Sequence, residues 1–329
     1  MRPKTLANLL THSFRNGRRV LVKGKPGIGK SDIVAQACND IGADCLLSHP
    51  AISDPTDYKG MPALMADGKA AFVPFGDLNA LIEATKPTVA FLDDIGQAAP
   101  AVQAALMQLV LARRVNGHAI SDKVVFCGAT NDTAHQAGVS GMIEPLKSRW
   151  DTIVELEVSL DDWSSWALDN KLAPELIAFL RFRPNLLSDF KPTRELRNSP
   201  SPRGWASIAK WLGDGINDIE VFSGAVGEGA ATEFFGFLDM FSHLPSLDGI
   251  LLDPDNSMVP ENPGALFAVA AGLARKATPA NFERVTRYTA RMPKEFDVVC
   301  VRDALRLDKK VANCSAFTAW TVQNSEVLL

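Results

Sequence analysis

Eight residues near the N-terminus constrain the folds open to this chain more than any other feature. Gly24–Ser31 reads GKPGIGKS and fits the pattern G-x-x-x-x-G-K-[ST] at every position. The flanks agree. Val20–Val22 is a short apolar run of strand type, and Asp32–Asp40 places Ile33, Val34 and Ala37 at helical spacing. A strand, a glycine-rich loop and a helix start in succession make a cradle for phosphate. Gly24, Gly27 and Gly29 let successive backbone N–H groups turn inward, and the helix dipole adds positive potential. The expected nucleotide contacts are Gly24, Pro26, Gly27, Ile28, Gly29, Lys30, Ser31 and Asp32. Lys30 reaches the outer phosphates, and the Ser31 hydroxyl is a ligand for Mg²⁺.

Two further signals lie on apolar runs downstream. Thr88–Asp94 reads TVAFLDD, a buried parallel strand ending in two carboxylates. Adjacent buried carboxylates are costly without counter-charge. Asp93 is therefore the expected second Mg²⁺ ligand, and Asp94 the acid that polarises water. Val124–Ala129 (VVFCGA) is another buried strand and leads to Asn131. A polar residue at the tip of an adjacent central strand can orient water beside a γ-phosphate without adding charge.

Strands alternating with helices over the first half predict a doubly wound parallel sheet of P-loop type. Asp54–Leu78 interrupts it as an inserted loop or hairpin, and Asn116–Gly117 marks a second hairpin. After Ser159 strand-like runs become scarce and helical periodicity dominates. The expected division is an α/β nucleotide-binding domain over 1–158 and an all-α lid and helical region over 159–329. Predicted helices there include Pro202–Leu212, Val221–Leu238 and Val298–Ala312, with Trp205 and Trp211 read as core and the C-terminal tail as frayed.

The 329 residues are 47% apolar with a formal net charge of −4, which disfavours a nucleic-acid partner while leaving a local basic patch open. Five cysteines, without a C-x-x-C, read as buried thiols of a reducing compartment. No apolar run approaches the ~18 residues of a membrane span, so the expectation is a cytoplasmic protein without membrane contact.

GKPGIGKS, FLDD, GATN, LKSRW (Leu146–Trp150) and SPRGW, in that order, resemble the motif series of an AAA+ ATPase, and specifically of the MoxR family. DPTDYKGMP and FVPFGDL resemble that family's insert, and RRVNGHAISDKVVFCGATND its hairpin leading into sensor 1. The resemblance implies an ATPase using ATP and Mg²⁺, assembled as a homo-oligomeric ring, read as a hexamer, that remodels or matures a protein client. A von Willebrand factor A-domain protein is one such client. It further implies that Arg149 is an arginine finger acting on a neighbouring subunit, with Arg113, Arg114 and Lys147 as other cations for that role, and that Arg203 is sensor 2. One departure stands out: Asp94 occupies a position where the superfamily usually has Glu. A carboxylate shorter by one methylene sits further from the attacking water, and misplacement of that order can cost ~100-fold. A slow, nucleotide-controlled assembly switch is thus one alternative, and a DNA-acting motor or loader another.

Overall fold

Apolar runs bounded by turn residues become parallel strands in the computed structural model of the chain, which describes residues 1–131, 141–193 and 195–328. The chain divides into two compact units, Met1–Ser159 and Leu160–Leu329. In the first unit the strands are β1 (Val20–Lys23), β2 (Asp44–Ser48), β3 (Met61–Leu64), β4 (Ala70–Val73), β5 (Thr88–Leu92), β6 (Arg114–Val115), β7 (His118–Ala119), β8 (Val124–Thr130) and β9 (Thr152–Glu155). Five of them form one parallel sheet in the order β2-β5-β8-β1-β9. All five residues of β5 are buried, as expected of a central parallel strand covered on both faces.

The order decides where the chemistry sits. β8 lies between β1 and β5, with Lys23 opposite Thr130 and Leu92 opposite Gly128. The residues following these three strands are the glycine-rich loop, Asn131 and Asp93–Asp94. They emerge side by side at the carboxyl edge of the sheet, where ligands bind in open α/β folds. The helices of this unit are α1 (Pro3–Arg15), α2 (Lys30–Ile41), α3 (Pro55–Lys59), α4 (Gly76–Glu83), α5 (Pro100–Ala112) and α6 (Glu144–Lys147). One apolar core packs α1 and α2 on one side of the sheet, through Leu6, Leu10, Val34 and Ala37, and another packs α5 through Val102, Leu106 and Leu109.

The insert resolves into α3 followed by the antiparallel hairpin β3–β4. The Asn116–Gly117 turn joins β6 to β7, with positive φ at both residues as a type I′ turn requires. The two hairpins touch: Asn116 Nδ2 donates to Lys59 O at 2.8 Å, and His118 Nε2 lies 3.2 Å from Phe72 O.

The second unit is helical: α7 (Leu160–Asp169), α8 (Pro174–Phe182), α9 (Pro202–Gly213), α10 (Ile219–Val226), α11 (Glu228–Ser242), α12 (Leu247–Leu252), α13 (Pro263–Lys276), α14 (Phe282–Thr289), α15 (Lys294–Leu307), α16 (Ser315–Gln323) and α17 (Ser325–Leu328). Several expectations change here. The single helix predicted over Val221–Leu238 is two, broken at Gly227. Its φ of +84° and the approach of Asn198 O to within 2.9 Å of a would-be Cβ leave no room for a side chain. Helix α15 starts at Lys294 and ends at Leu307, earlier than predicted at both ends. The tail is not frayed: Trp320 on α16 is buried, and its Nε1 donates to the buried Asp297 at 2.9 Å. Trp205 is core, but Trp211 is 39% exposed, because six residues along a helix turn a side chain far from its starting face. In the first unit, Cys45 is exposed rather than buried, since β2 is an edge strand of the sheet.

Arg181 on α8 and Asp303 on α15 form a bidentate, almost fully buried ion pair. Removing one partner of such a pair strands a charge in the core. We expect Arg181→Ala to destabilise the second unit by about 3–5 kcal/mol in urea unfolding, and Arg181→Met with Asp303→Leu to recover most of that loss.

Candidate nucleotide site

The glycine-rich loop is shaped by backbone needs that only glycine meets. Gly27 and Gly29 have φ of +75° and +93°, and a Cβ at Gly24 would crowd the backbone Leu156 O at 3.1 Å as well as the end of the Ile28 side chain. Gly29, in the left-handed conformation, is the N-cap of α2 and has no side-chain cap. The first N–H groups of that helix are therefore left for another acceptor. Lys30 follows, only 7% exposed. Its Nζ donates to Gly24 O at 3.0 Å, Lys25 O at 2.9 Å and Asn131 Oδ1 at 2.8 Å. A buried ammonium group needs such oxygens around it, and they fix it at the mouth of the loop.

Ser31 Oγ donates to Asp93 Oδ2 at 2.6 Å, so the hydroxyl and the carboxylate read as metal ligands are in contact. Asp93 is held in turn by the end of the neighbouring strand β2 and by the backbone that follows it. Its N donates to Ser48 O at 2.9 Å, and its Oδ1 accepts from Asp94 N at 3.0 Å. A hydroxyl beside a carboxylate is the hard-oxygen donor set that suits Mg²⁺.

Asn131 connects the two halves. Its Oδ1 accepts from Lys30 while its Nδ2 donates to Asp94 Oδ1 at 3.1 Å. A cation on one side and a carboxylate on the other fix which way the amide points. Asp94 lies in the left-handed region with φ +55° and ψ +33°, a conformation uncommon for a non-glycine residue. Gln97 Nε2 donates to the same Asp94 Oδ1 at 3.1 Å. Gln97 was not expected from the sequence: its approach depends on the backbone of Asp94, which no local pattern announces.

The loop residues, Lys30, Ser31, Asp93, Asp94 and Asn131 thus converge in one cluster. Residues 20–158 match the model of the family described as "ATPase family associated with various cellular activities (AAA)". Over those residues, less than half of its length, the chain is similar to an AAA-family ATPase domain. The parallel five-stranded sheet with its helices is the AAA+ P-loop fold, followed by a helical region. Among solved structures, a point mutant of Thermotoga maritima RuvB is 16% identical, with a TM-score of 0.42, covering 91% of this chain and 86% of that one. The T. maritima RuvB Holliday junction branch migration motor is 17% identical, with a TM-score of 0.41 and coverage of 82% and 80%. NtrX from Brucella abortus in complex with ADP is 12% identical, with a TM-score of 0.41 and coverage of 99% and 68%. Likeness at this level says nothing of activity or partners. No curated protein matches the chain.

Among the described residues, no hydrogen bond or ion pair joins the expected cations Arg113, Arg114, Lys147 and Arg149 to this cluster. Arg149 follows α6 and borders a groove of ≈ 320 Å³ on α5 lined by Ala104, Met107, Gln108, Leu111 and Ala112. Its Nε is buried and has no hydrogen-bond partner among the described residues. Arg113 is committed elsewhere, donating to Val124 O at 2.8 Å and Ser121 O at 2.6 Å, and Lys147 pairs with Glu144 at 2.5 Å. Arg203 belongs to the second unit. It is exposed in the first turn of α9, whose start is capped by Ser201 Oγ and whose inner face is fixed by Trp205, with Nε1 donating to Leu186 O at 2.7 Å. Among the described residues, no helix is long and apolar enough to cross a membrane.

Proposed function

We propose that the AAA domain binds ATP with Mg²⁺ and hydrolyses it, and that copies of the chain do so as a hexameric ring acting on a protein partner. The observation that carries this reading is the continuous contact Lys30–Asn131–Asp94 beside the Ser31–Asp93 pair. The loop N–H groups and Lys30 receive the phosphates. Ser31 and Asp93 would hold Mg²⁺, which offsets phosphate charge during phosphoryl transfer. Asp94 uses Oδ1 for its two amide donors, and among the described residues no hydrogen bond occupies Oδ2. That oxygen is the one that takes a proton from the attacking water. Asn131 keeps the carboxylate and the ammonium in fixed relation, so neither reorganises during the reaction.

The ring and the partner rest on the MoxR resemblance and on exposed surface. Met61, Leu64, Met65 and Phe72 of the inserted hairpin are large apolar side chains in solvent, a feature that marks contact surfaces. A von Willebrand factor A-domain protein is the class of client the resemblance names. The same resemblance gives Arg203 the role of phosphate sensor. Free thiols, Cys45 among them, suit the cytoplasm.

Arg149 is the residue assigned to the neighbouring copy. We expect Arg149→Ala to bind ATP normally and to lose turnover by ~100-fold or more. Mixing it with Lys30→Ala, which still carries Arg149, should restore part of the phosphate release. Mixtures no more active than their components would refute action between copies.

A further inference from the structure

We propose that Gln97 is a positioning residue for hydrolysis, holding the short Asp94 carboxylate in register; the proposal rests on Asp94 being the acid that activates water. The chain turns sharply after β5. Asp94 adopts its left-handed conformation and caps a single 3₁₀ turn, Ile95–Gln97, closed by Gln97 N donating to Asp94 O at 2.9 Å. That turn brings the side chain three residues on back over the carboxylate, where Gln97 Nε2 reaches Asp94 Oδ1.

The turn is locked on its far side. Ile95 and Ala98 are fully buried. Gln103, also fully buried, donates from Nε2 to Ala98 O and Gly141 O, both at 3.0 Å, and accepts from Ile143 N at 2.9 Å. Gln97 is therefore a donor on a rigid support rather than on a loop.

Two donors on one oxygen restrict an aspartate more than either does alone. With only Asn131, the Asp94 carboxylate could rotate about its single contact. Gln97 approaches along its own strand turn while Asn131 approaches from β8, and together they define the plane of the carboxylate and present Oδ2. Asp94 has one methylene fewer than glutamate and lacks the reach to correct a poor angle. Orientation of this kind is worth about tenfold to 100-fold in rate.

Gln97→Met, which keeps the length and removes the donor, separates positioning from packing. The expected result is a fall in kcat of roughly tenfold or more, with KM for ATP, nucleotide affinity and melting temperature close to wild type. Gln97→Glu, which sets a second carboxylate against Asp94, should fall further. In an Asp94→Asn background, Gln97→Met should cost nothing more, since the group it positions has already lost its function. An unchanged kcat for Gln97→Met, beside an inactive Asp94→Asn, would overturn the role of Gln97 and leave the hydrolytic reading standing. Multiplicative losses in the double variant would also overturn it, by showing that Gln97 acts other than through Asp94. Full activity in Asp94→Asn would overturn both.

Discussion

Lys30→Ala is expected to weaken ATP binding by roughly 100-fold, about 3 kcal/mol. The size follows from where the cation stands before any ligand arrives. Lys30 is already desolvated, and Gly24 O, Lys25 O and Asn131 Oδ1 hold its Nζ within 3.0 Å. Its side-chain entropy and desolvation were spent on folding, but all three of its N–H groups are engaged, so an incoming phosphate displaces one protein oxygen and the gain in affinity is that of a charged acceptor over a neutral one. Alanine removes that bond and leaves two loop carbonyls without a donor. Arginine is no substitute, because a planar guanidinium cannot converge on three oxygens arranged around one nitrogen. Titration with a fluorescent ATP analogue measures the effect, with thermal melting to establish that the variant folds. Affinity equal to wild type would show that the loop does not bind the phosphates.

Asp94→Asn is expected to reduce turnover by about 1000-fold with ATP affinity nearly unchanged. The separation is sharp because the two donors, Gln97 Nε2 and Asn131 Nδ2, both bind Oδ1. Asparagine keeps that acceptor, so the geometry survives while the second oxygen, the one available for a proton, becomes an amide nitrogen. The loss is then chemical rather than structural. Phosphate release under saturating ATP, alongside nucleotide titration, distinguishes the two. A fall in affinity matching the fall in rate would mean that Asp94 holds the site together instead of serving the reaction.

How far these residues could be read from the sequence follows from how local their signals are. GKPGIGKS, the acids after VAFL and the asparagine after VVFCGAT each depend on a strand end and the residues beside it, and the fold brings all three together. Gln97 was hidden because its contact requires positive φ at Asp94, and an aspartate does not advertise that backbone as glycine would. The hairpins were legible from turn chemistry at Asp67–Gly68 and Asn116–Gly117. Their mutual contact was not, since it joins the Lys59 and Phe72 carbonyls to side chains more than forty positions away. In the second unit, the break at Gly227 hid in an apolar run, where the crowding by Asn198 O is a tertiary fact. The exposure of Trp211 was available from its spacing to Trp205 alone. The burial of Trp320 depended on Asp297, an acid 23 residues earlier that pattern alone would place in solvent.

Hydrolysis at this cluster is distinguished from mere binding of ATP by one comparison. The direct measurement is phosphate release by the full chain with ATP and Mg²⁺, set against Asp94→Asn at equal nucleotide occupancy. Steady release is expected, stopping on chelation of Mg²⁺ and exceeding the Asp94→Asn background by about 1000-fold. Bound ATP that wild type turns over no faster than Asp94→Asn would contradict it, and would make the protein a nucleotide-controlled switch.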